Sequence, residues 1–323
     1  MSRIFVIHEN GEWLPPLAEA LDTLALDWDE IYMADRPVDL SGVPEDGVYY
    51  NRMSASSWTR AHDNAPQLTL ALLENLQAHG RRVVNTARAL DLEISKARQA
   101  AVLMRHGIRT PRSVLAAGRS DIAQAARTFE GPVIIKPDCG GKGAGVRLFE
   151  SGEQLASQAQ AGKLDLAPGM AMLVQAYIKP AEPFIIRNEF VGGKHLYSVR
   201  VDTSGGFELC PADACEIGEE ACPAGEEANE PNKFKVLKDF THPDIAAFEK
   251  MLHGEGIEIA GVEFLFDEKG RAWTYDININ TNYNGQAESQ AGIARTGRAG
   301  MMAVAGFLGE LSGQLGALWE AAE

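Results

Sequence analysis

Two stretches of the chain hold residue types that could do chemistry together. The first is 132–148, PVIIKPDCGGKGAGVRL. Val133, Ile134 and Ile135 are an apolar β-branched run that reads as a buried strand, and Lys136 closes it. Gly140, Gly141, Gly143 and Gly145 follow, before Val146 to Phe149 returns to strand character. Glycines let a backbone approach an anion closely and turn its N–H groups toward it. A lysine at the strand end adds a positive point charge. The combination suits a phosphate. It is not a Walker A loop, because Lys142 is followed by Gly143 rather than Ser or Thr. Nor is it a dinucleotide fingerprint. Counted from Gly141, Val146 stands where the third glycine belongs, and no helical pattern follows. The loop is instead a hairpin tip that could fold over a nucleotide. On this stretch alone, a plain surface hairpin reads equally well.

The second stretch carries paired acids. Glu263 interrupts the apolar strand Ala260–Phe266, and Asp276, Asn278 and Asn280 alternate on the next strand. With 267–270 as a four-residue turn, Phe266 pairs with Arg271 and Glu263 lies opposite Thr274. Asp276 is then the diagonal neighbour of Glu263 on the same face, roughly 7–8 Å away between backbone positions. Two like charges on one sheet face repel unless a cation sits between them. Mg²⁺ takes oxygen ligands, commonly one or two carboxylates plus substrate phosphates. Glu263, Asp276 and the amide oxygen of Asn278 meet that need. A solvated polar face is the plainer alternative, weakened by the apolar strand around Glu263.

These two hairpins need a scaffold. Residues 1–90 read as a small α/β unit. Strands fall at Ile4 to Ile7, Glu30 to Met33, Val48 to Arg52 and Arg82 to Asn85, with a helix over Leu14 to Leu26 broken by Pro15-Pro16 and another over Leu68 to His79. The serines after Arg52 read mostly as a solvated loop. Residues 91–178 form a central unit. It continues one helix running from Ala87 to His106, then holds a helix capped by Ser120, the glycine hairpin, and a strand from Met172 to Ile178. Lys179 to Pro183 reads as a hinge. Residues 179–323 hold a hairpin around Gly192-Gly193 with Arg187 and Arg200 on its strands, the acid-bearing hairpin, and a helical tail.

Composition removes several function classes. The chain has 323 residues, 45% of them hydrophobic, with a formal net charge of −15. That balance argues against a nucleic-acid binder, whose phosphate affinity needs clustered Lys and Arg. No apolar run approaches the roughly 20 residues of a membrane span, and the N-terminus enters a strand at once, without signal-peptide architecture. Four irregularly spaced cysteines make no disulfide framework, and a reducing cytoplasm fits best. Cys210, Cys215, Cys222 and His242 lack the close spacing of a zinc site.

Taken in order, these features resemble the ATP-grasp ligases. Lys96, Lys136 at the end of an apolar strand, the glycine flap, Gln175-Ala176-Tyr177-Ile178 and the acid–acid–Asn set follow the family's succession. The likeness is greatest to the RimK-type glutamate ligases, with glutathione synthetase further off. It spans about Asn85 to Asn284 and weakens over the N-terminal unit, where Arg52-Met53-Ser54 looks like the family's Arg-x-Gly turn. The resemblance implies an α/β and α+β architecture: an ATP-grasp fold preceded by a Rossmann-like pre-ATP-grasp domain. It implies that ATP lies between two α+β subdomains. Lys96, Lys136, Gly140, Gly141 and Gly143 would meet its phosphates, and Gln175, Tyr177 and Ile178 its adenine edge. Glu263, Asp276 and Asn278 would hold Mg²⁺, with Mn²⁺ as substitute. Arg187 matches an arginine near the transferring phosphate, and Arg200 one near the acyl-phosphate or substrate carboxylate. Either arginine also reads as a cross-strand ion-pair partner. The chain departs from the pattern in its acid order, Glu then Asp, in Ile185 where the family has Asp, and near Glu208-Leu209-Cys210, where the family handles substrate with Arg-x-Asn.

The implied activity is ATP-dependent joining of a small-molecule carboxylate to an amine through an acyl-phosphate. A carboxylate–thiol ligase, a kinase of the same fold and a non-catalytic ATP-binding module are the rivals. A homo-oligomer, dimer or tetramer, is left open. Between Glu208 and Glu230 the chain holds eight acidic residues and no Lys or Arg. A cluster of one sign attracts the opposite charge, and the loop follows the Arg200 strand where the resembled family handles substrate, so one reading has it border the acceptor site and favour a cationic amine; a solvated acidic loop is the plainer alternative.

Overall fold

The computed structural model describes residues 1–34, 37–141, 145–164, 166, 170–205 and 233–316. Gly143 and the acidic stretch from Glu208 to Glu230 lie outside them.

The N-terminal strands are β1 (Arg3–His8), β2 (Trp28–Tyr32), β3 (Gly47–Asn51) and β4 (Arg82–Val84), all parallel in the order β2-β1-β3-β4. Every residue of β3 is buried, as expected of a parallel strand covered on both faces. One face packs on α2 (Ala65–Ala78). The other meets α1 (Pro15–Thr23) and the distant α9 (Gly300–Leu311) through Leu17, Leu21, Val304 and Leu308. Pro15 and Pro16 open α1 rather than break it; at the first turn their missing N–H groups are not needed.

Two shorter helices replace the single one expected over Ala87 to His106: α3 (Ala87–Glu93) and α4 (Lys96–Arg105). Ser95 separates them with extended φ/ψ, and its side chain accepts a hydrogen bond from the Arg98 N–H. That is an N-cap inside an otherwise helical run. The central sheet follows, with order β5-β8-β6-β7, from β5 (Ser113–Ala117), β6 (Val133–Pro137), β7 (Arg147–Phe149) and β8 (Ala171–Ala176). Its apolar face is covered by α5 (Gly118–Ala126) and α6 (Gly152–Gln160). The α5 cap position is Ala117, not Ser120. The glycine hairpin is formed as expected, with Val133 opposite Phe149 and Ile135 opposite Arg147.

The third sheet is antiparallel, ordered β11-β10-β9-β12-β13, from β9 (Phe184–Val191), β10 (Lys194–Asp202), β11 (Phe234–Leu237), β12 (Ala260–Phe266) and β13 (Ala272–Asn278). Helices α7 (Pro243–Gly254) and α8 (Gly285–Gln290) complete it. The β12/β13 register differs from expectation. Phe266 pairs with Ala272 and Phe264 with Thr274, and the register then slips so that Glu263 faces Asp276 directly. Tyr275 is the extra residue of this β-bulge. The largest apolar core runs through the sheets, joining Phe5, Ile7 and Tyr49 to Leu90 and Leu103, and these to Phe190, Phe248, Phe264 and Ile277.

Candidate active site

Strand β12 lies between β9 and β13, and its Glu263 pairs with Arg187 on one side and Asp276 on the other. A row of charges, one positive and two negative, therefore crosses the sheet. The central unit faces this row with two lysines, Lys136 from the end of β6 and Lys96 from the first turn of α4. Asp138 brings them together. Its carboxylate accepts from the Ala97 N–H at 2.8 Å and from Ser95 Oγ at 2.9 Å, and its carbonyl accepts from the Lys96 N–H at 2.9 Å. The break between α3 and α4 thus exposes N–H groups that latch onto the end of β6. Lys96 Nζ then reaches Asp276 Oδ1.

The cleft between the units has a volume of about 210 Å³. Lys96, Lys136, Gly140, Gly141, Gln175, Tyr177, Ile178, Arg187, Glu263, Asp276 and Asn278 all line it. Arg200 does not. Its side chain is 44% exposed on β10, stacks 4.2 Å from the Phe184 ring and lies 3.9 Å from Glu182. Gln175 reaches the cleft, but its amide nitrogen donates to Ser113 Oγ at 2.8 Å.

Burial and neighbours set the charge states. Lys136 is pushed down to about 8, by desolvation first and then by the nearby Lys96. Lys96 moves the other way: burial opposes its charge, but Asp276 and Glu93 outweigh it. Asp276 is likewise desolvated, yet Lys96 holds its carboxyl below the usual range. Burial raises Glu263 despite Arg187. The two facing acids are therefore pushed apart.

Sequence reading missed several residues here. Arg187 donates from Nε to Glu189 Oε1 at 2.5 Å, from Nη1 to Glu263 Oε1 at 2.8 Å and from Nη2 to Thr281 Oγ1 at 2.7 Å, and Thr281 donates to Glu189 Oε2 at 2.8 Å. Glu189 was detectable, since two residues along a strand share a face; Thr281 was not. Gly261 makes room for this network, because a Cβ there would sit 2.5 Å from Arg187 Nη2. Tyr275, turned inward by the bulge, donates to Glu263 Oε2 at 3.2 Å. Ser54, Ser56 and Ser57 are buried rather than solvated. A Cβ on Gly141 would lie 3.7 Å from Ser56 Cβ, so the N-terminal serine turn borders the glycine hairpin.

Among the described residues no group of three or more His, Cys, Asp or Glu side chains gathers for a metal. Glu263 and Asp276, with Asn278 beside them in the cleft, are a different donor set. Two facing carboxylates and an amide oxygen suit a hard cation that also takes phosphate oxygens, so these residues fit Mg²⁺.

A cleft between two α+β units, with lysines and a glycine hairpin on one wall and acids on the other, is the ATP-grasp arrangement, and this protein has the ATP-grasp fold. Residues 94–207 match the family model described as the RimK-like ATP-grasp domain. The fold is similar to that of the D-cycloserine synthetase DcsG (17% identity, TM-score 0.63, covering 97% of this chain and 100% of the other). It is also similar to a RimK domain ATP-grasp protein from Sphaerobacter thermophilus (18%, 0.60, 95% and 99%). A third is the ATP-grasp ligase PsnB, complexed with a phosphomimetic variant of its minimal precursor, Mg and ADP (16%, 0.61, 95% and 98%). No curated protein sequence matches. Among the described residues no helix is long and apolar enough to cross a membrane.

Proposed function

We propose that the protein is an ATP- and Mg²⁺-dependent carboxylate–amine ligase that works through an acyl-phosphate. The observation that carries this is the convergence of Lys96, Lys136 and Arg187 with Glu263 and Asp276 in one cleft. Phosphoryl transfer asks a protein for positioning and charge neutralisation more than for covalent chemistry. Lys136 and Lys96 would hold the ATP phosphates, with Gly140 and Gly141 approaching from the hairpin, and the strand backbone at Gln175 to Ile178 would meet the adenine. Glu263, Asp276 and Asn278 would hold Mg²⁺, which when bound neutralises charge on the phosphate oxygens. Arg187, fixed by Glu189, Glu263 and Thr281, would stabilise the phosphoryl group in flight.

In the first step a substrate carboxylate oxygen bonds to the γ-phosphorus, the bond to the β–γ bridging oxygen breaks, and ADP leaves. In the second step an amine nitrogen bonds to the acyl carbon and loses a proton, and inorganic phosphate leaves. The amide is the product. PsnB, a ligase of similar fold seen with Mg and ADP, supports the cofactor assignment; this chain's own acid and amine are small molecules or short peptides.

Hydroxylamine tests the intermediate. With ATP, Mg²⁺ and a competent acid, a hydroxamate should accumulate alongside ADP. Normal amide product without hydroxamate under the same conditions would remove the acyl-phosphate.

A further inference from the structure

Two arginines of the described chain are buried, and they are not alike. Arg187 is 4% exposed and paired with two carboxylates. Arg52 is 2% exposed, and among the described residues its neighbours include no ion-paired carboxylate. Its Nη1 donates to the Trp13 carbonyl at 3.0 Å and its Nη2 to Asn282 Oδ1 at 2.9 Å. Its Nε is buried without a partner. Burial disfavours its charge, and of its neighbours only the phenols of Tyr50 and Tyr283 offset that. A guanidinium taken out of water costs several kcal/mol, on the order of what a paired anion restores. Arg52 lacks that anion.

Its position says where an anion could come from. Arg52 directly follows β3. In the order β2-β1-β3-β4 the chain leaves β1 and β3 toward opposite sides, so the crevice beyond their carboxyl ends is the switch point at which open parallel sheets bind ligands. Across that crevice stand Asn282 and Tyr283, which with Arg187 and Glu189 line a small cavity of about 10 Å³. Tyr283 OH is also buried and unpartnered. The space is too small for a ligand beside the present contacts, so an incoming anion would take the place of the Asn282 side-chain Oδ1 on Arg52.

We infer that Arg52 is a carboxylate anchor: the acid substrate carries, besides the carboxylate that is phosphorylated, a second carboxylate that binds the Arg52 guanidinium and accepts from the Tyr283 hydroxyl. The substrate class is then a dicarboxylic acid, or an amino acid or peptide with a free carboxylate remote from the reacting one. The inference rests on the ligase reading for the first carboxylate, but not for the second. A purely structural Arg52, tying the N-terminal unit to Asn282, predicts different behaviour on removal.

The test compares the full-length wild type with Arg52→Gln and Arg52→Lys. Thermal melting is recorded with a non-hydrolysable ATP analogue and Mg²⁺, against succinate, glutarate, L-aspartate, L-glutamate and the corresponding monoamides. At least one diacid should raise the wild-type Tm while its monoamide does not. Arg52→Gln should lose that response and, without ligand, melt no lower than wild type, since it removes an uncompensated charge. Arg52→Lys should keep part of the response. ATP affinity by calorimetry should stay within about twofold in both variants. Where ADP release accompanies binding, Arg52→Gln should raise the acid's KM by about 10- to 100-fold. The anchor is overturned if no diacid shifts the wild type, if diacid and monoamide act alike, or if Arg52→Gln melts well below wild type yet keeps the diacid response. A diacid response that Arg52→Gln abolishes, with no ADP or hydroxamate formed, keeps the anchor and removes the ligase.

Discussion

Lys136 and Lys96 are both buried lysines facing the same acids, yet their charge states diverge. Lys96 touches Asp276 and is held charged, whereas Lys136, with no ion-paired carboxylate among the described residues, is pushed down to about 8 by burial. Below that pH Lys136 carries its charge, and above it the free protein presents a neutral amine to ATP. ATP affinity measured by calorimetry should therefore weaken as pH rises through about 8. Lys136→Met should weaken ATP binding by about 30-fold or more at neutral pH and flatten that dependence; unchanged affinity would take Lys136 out of the site. Asp276 is the other discriminating residue. Asp276→Asn keeps shape and removes the charge that meets Lys96, so the fold should persist while Mg²⁺-dependent ADP release falls by about 100-fold or more. Near wild-type turnover at ordinary Mg²⁺ would place the metal elsewhere.

At the scale of elements, three local irregularities assemble the site. Ser95 interrupts a helix and frees N–H groups for Asp138. The bulge at Tyr275 brings Glu263 and Asp276 face to face and adds a phenol to the same side. Gly261 lets β12 approach the Arg187 side chain on β9. The guanidinium is the end of a flexible chain, but three hydrogen bonds hold it, so it cannot yield freely. Gly261→Ala should cost about 1–3 kcal/mol of stability, and should lower turnover at least about tenfold while leaving ATP binding nearly intact. A variant with wild-type kcat would show that the exact seat of Arg187 is unimportant.

Over the whole molecule, the apolar cores ignore the boundary near residue 90. The N-terminal sheet presents Phe5, Ile7 and Tyr49 to a core shared with Phe190 and Phe264, and Ile4, Val6 and Val48 to one shared with α9. A parallel sheet must be covered on both faces, and here both covers include residues far along the chain. Asn85 reinforces the join. It sits at positive φ, donates to the Ile259 and Ile279 carbonyls at 2.9 and 3.1 Å, and accepts from the Glu258 and Ile259 N–H groups. Residues 1–90 produced alone should show no cooperative melt and no dispersed amide spectrum. A fragment that folds by itself would mean the N-terminal unit needs none of these contacts.

What the sequence determined by itself was whatever is encoded locally. A β-branched apolar run placed the strand of the glycine hairpin, alternation placed the polar strand of the acid-bearing hairpin, glycines marked the hairpin tip, and residue type separated the lysines proposed for phosphate from the oxygen donors proposed for Mg²⁺. Those signals lie within a few residues of one another, and the ATP-grasp fold was read from the resemblance that their order along the chain carries. Tertiary structure decided the rest, because it depends on groups distant in the chain. The register of β12 on β13 turned on a single bulge, and a one-residue slip changes every facing pair. The buried state of the serines after Arg52 depended on a hairpin some 85 residues on, whose Gly141 packs against Ser56. The split of the helix at Ser95 was written in the sequence as an N-cap, but competed with an unbroken apolar period that hid it. Arg52 and Arg187 read alike in sequence, as arginines on or beside strands. Only the fold shows that, among the described residues, Arg187 has its carboxylates and Arg52 does not, since a charge's partner is set by what the fold brings within reach of it.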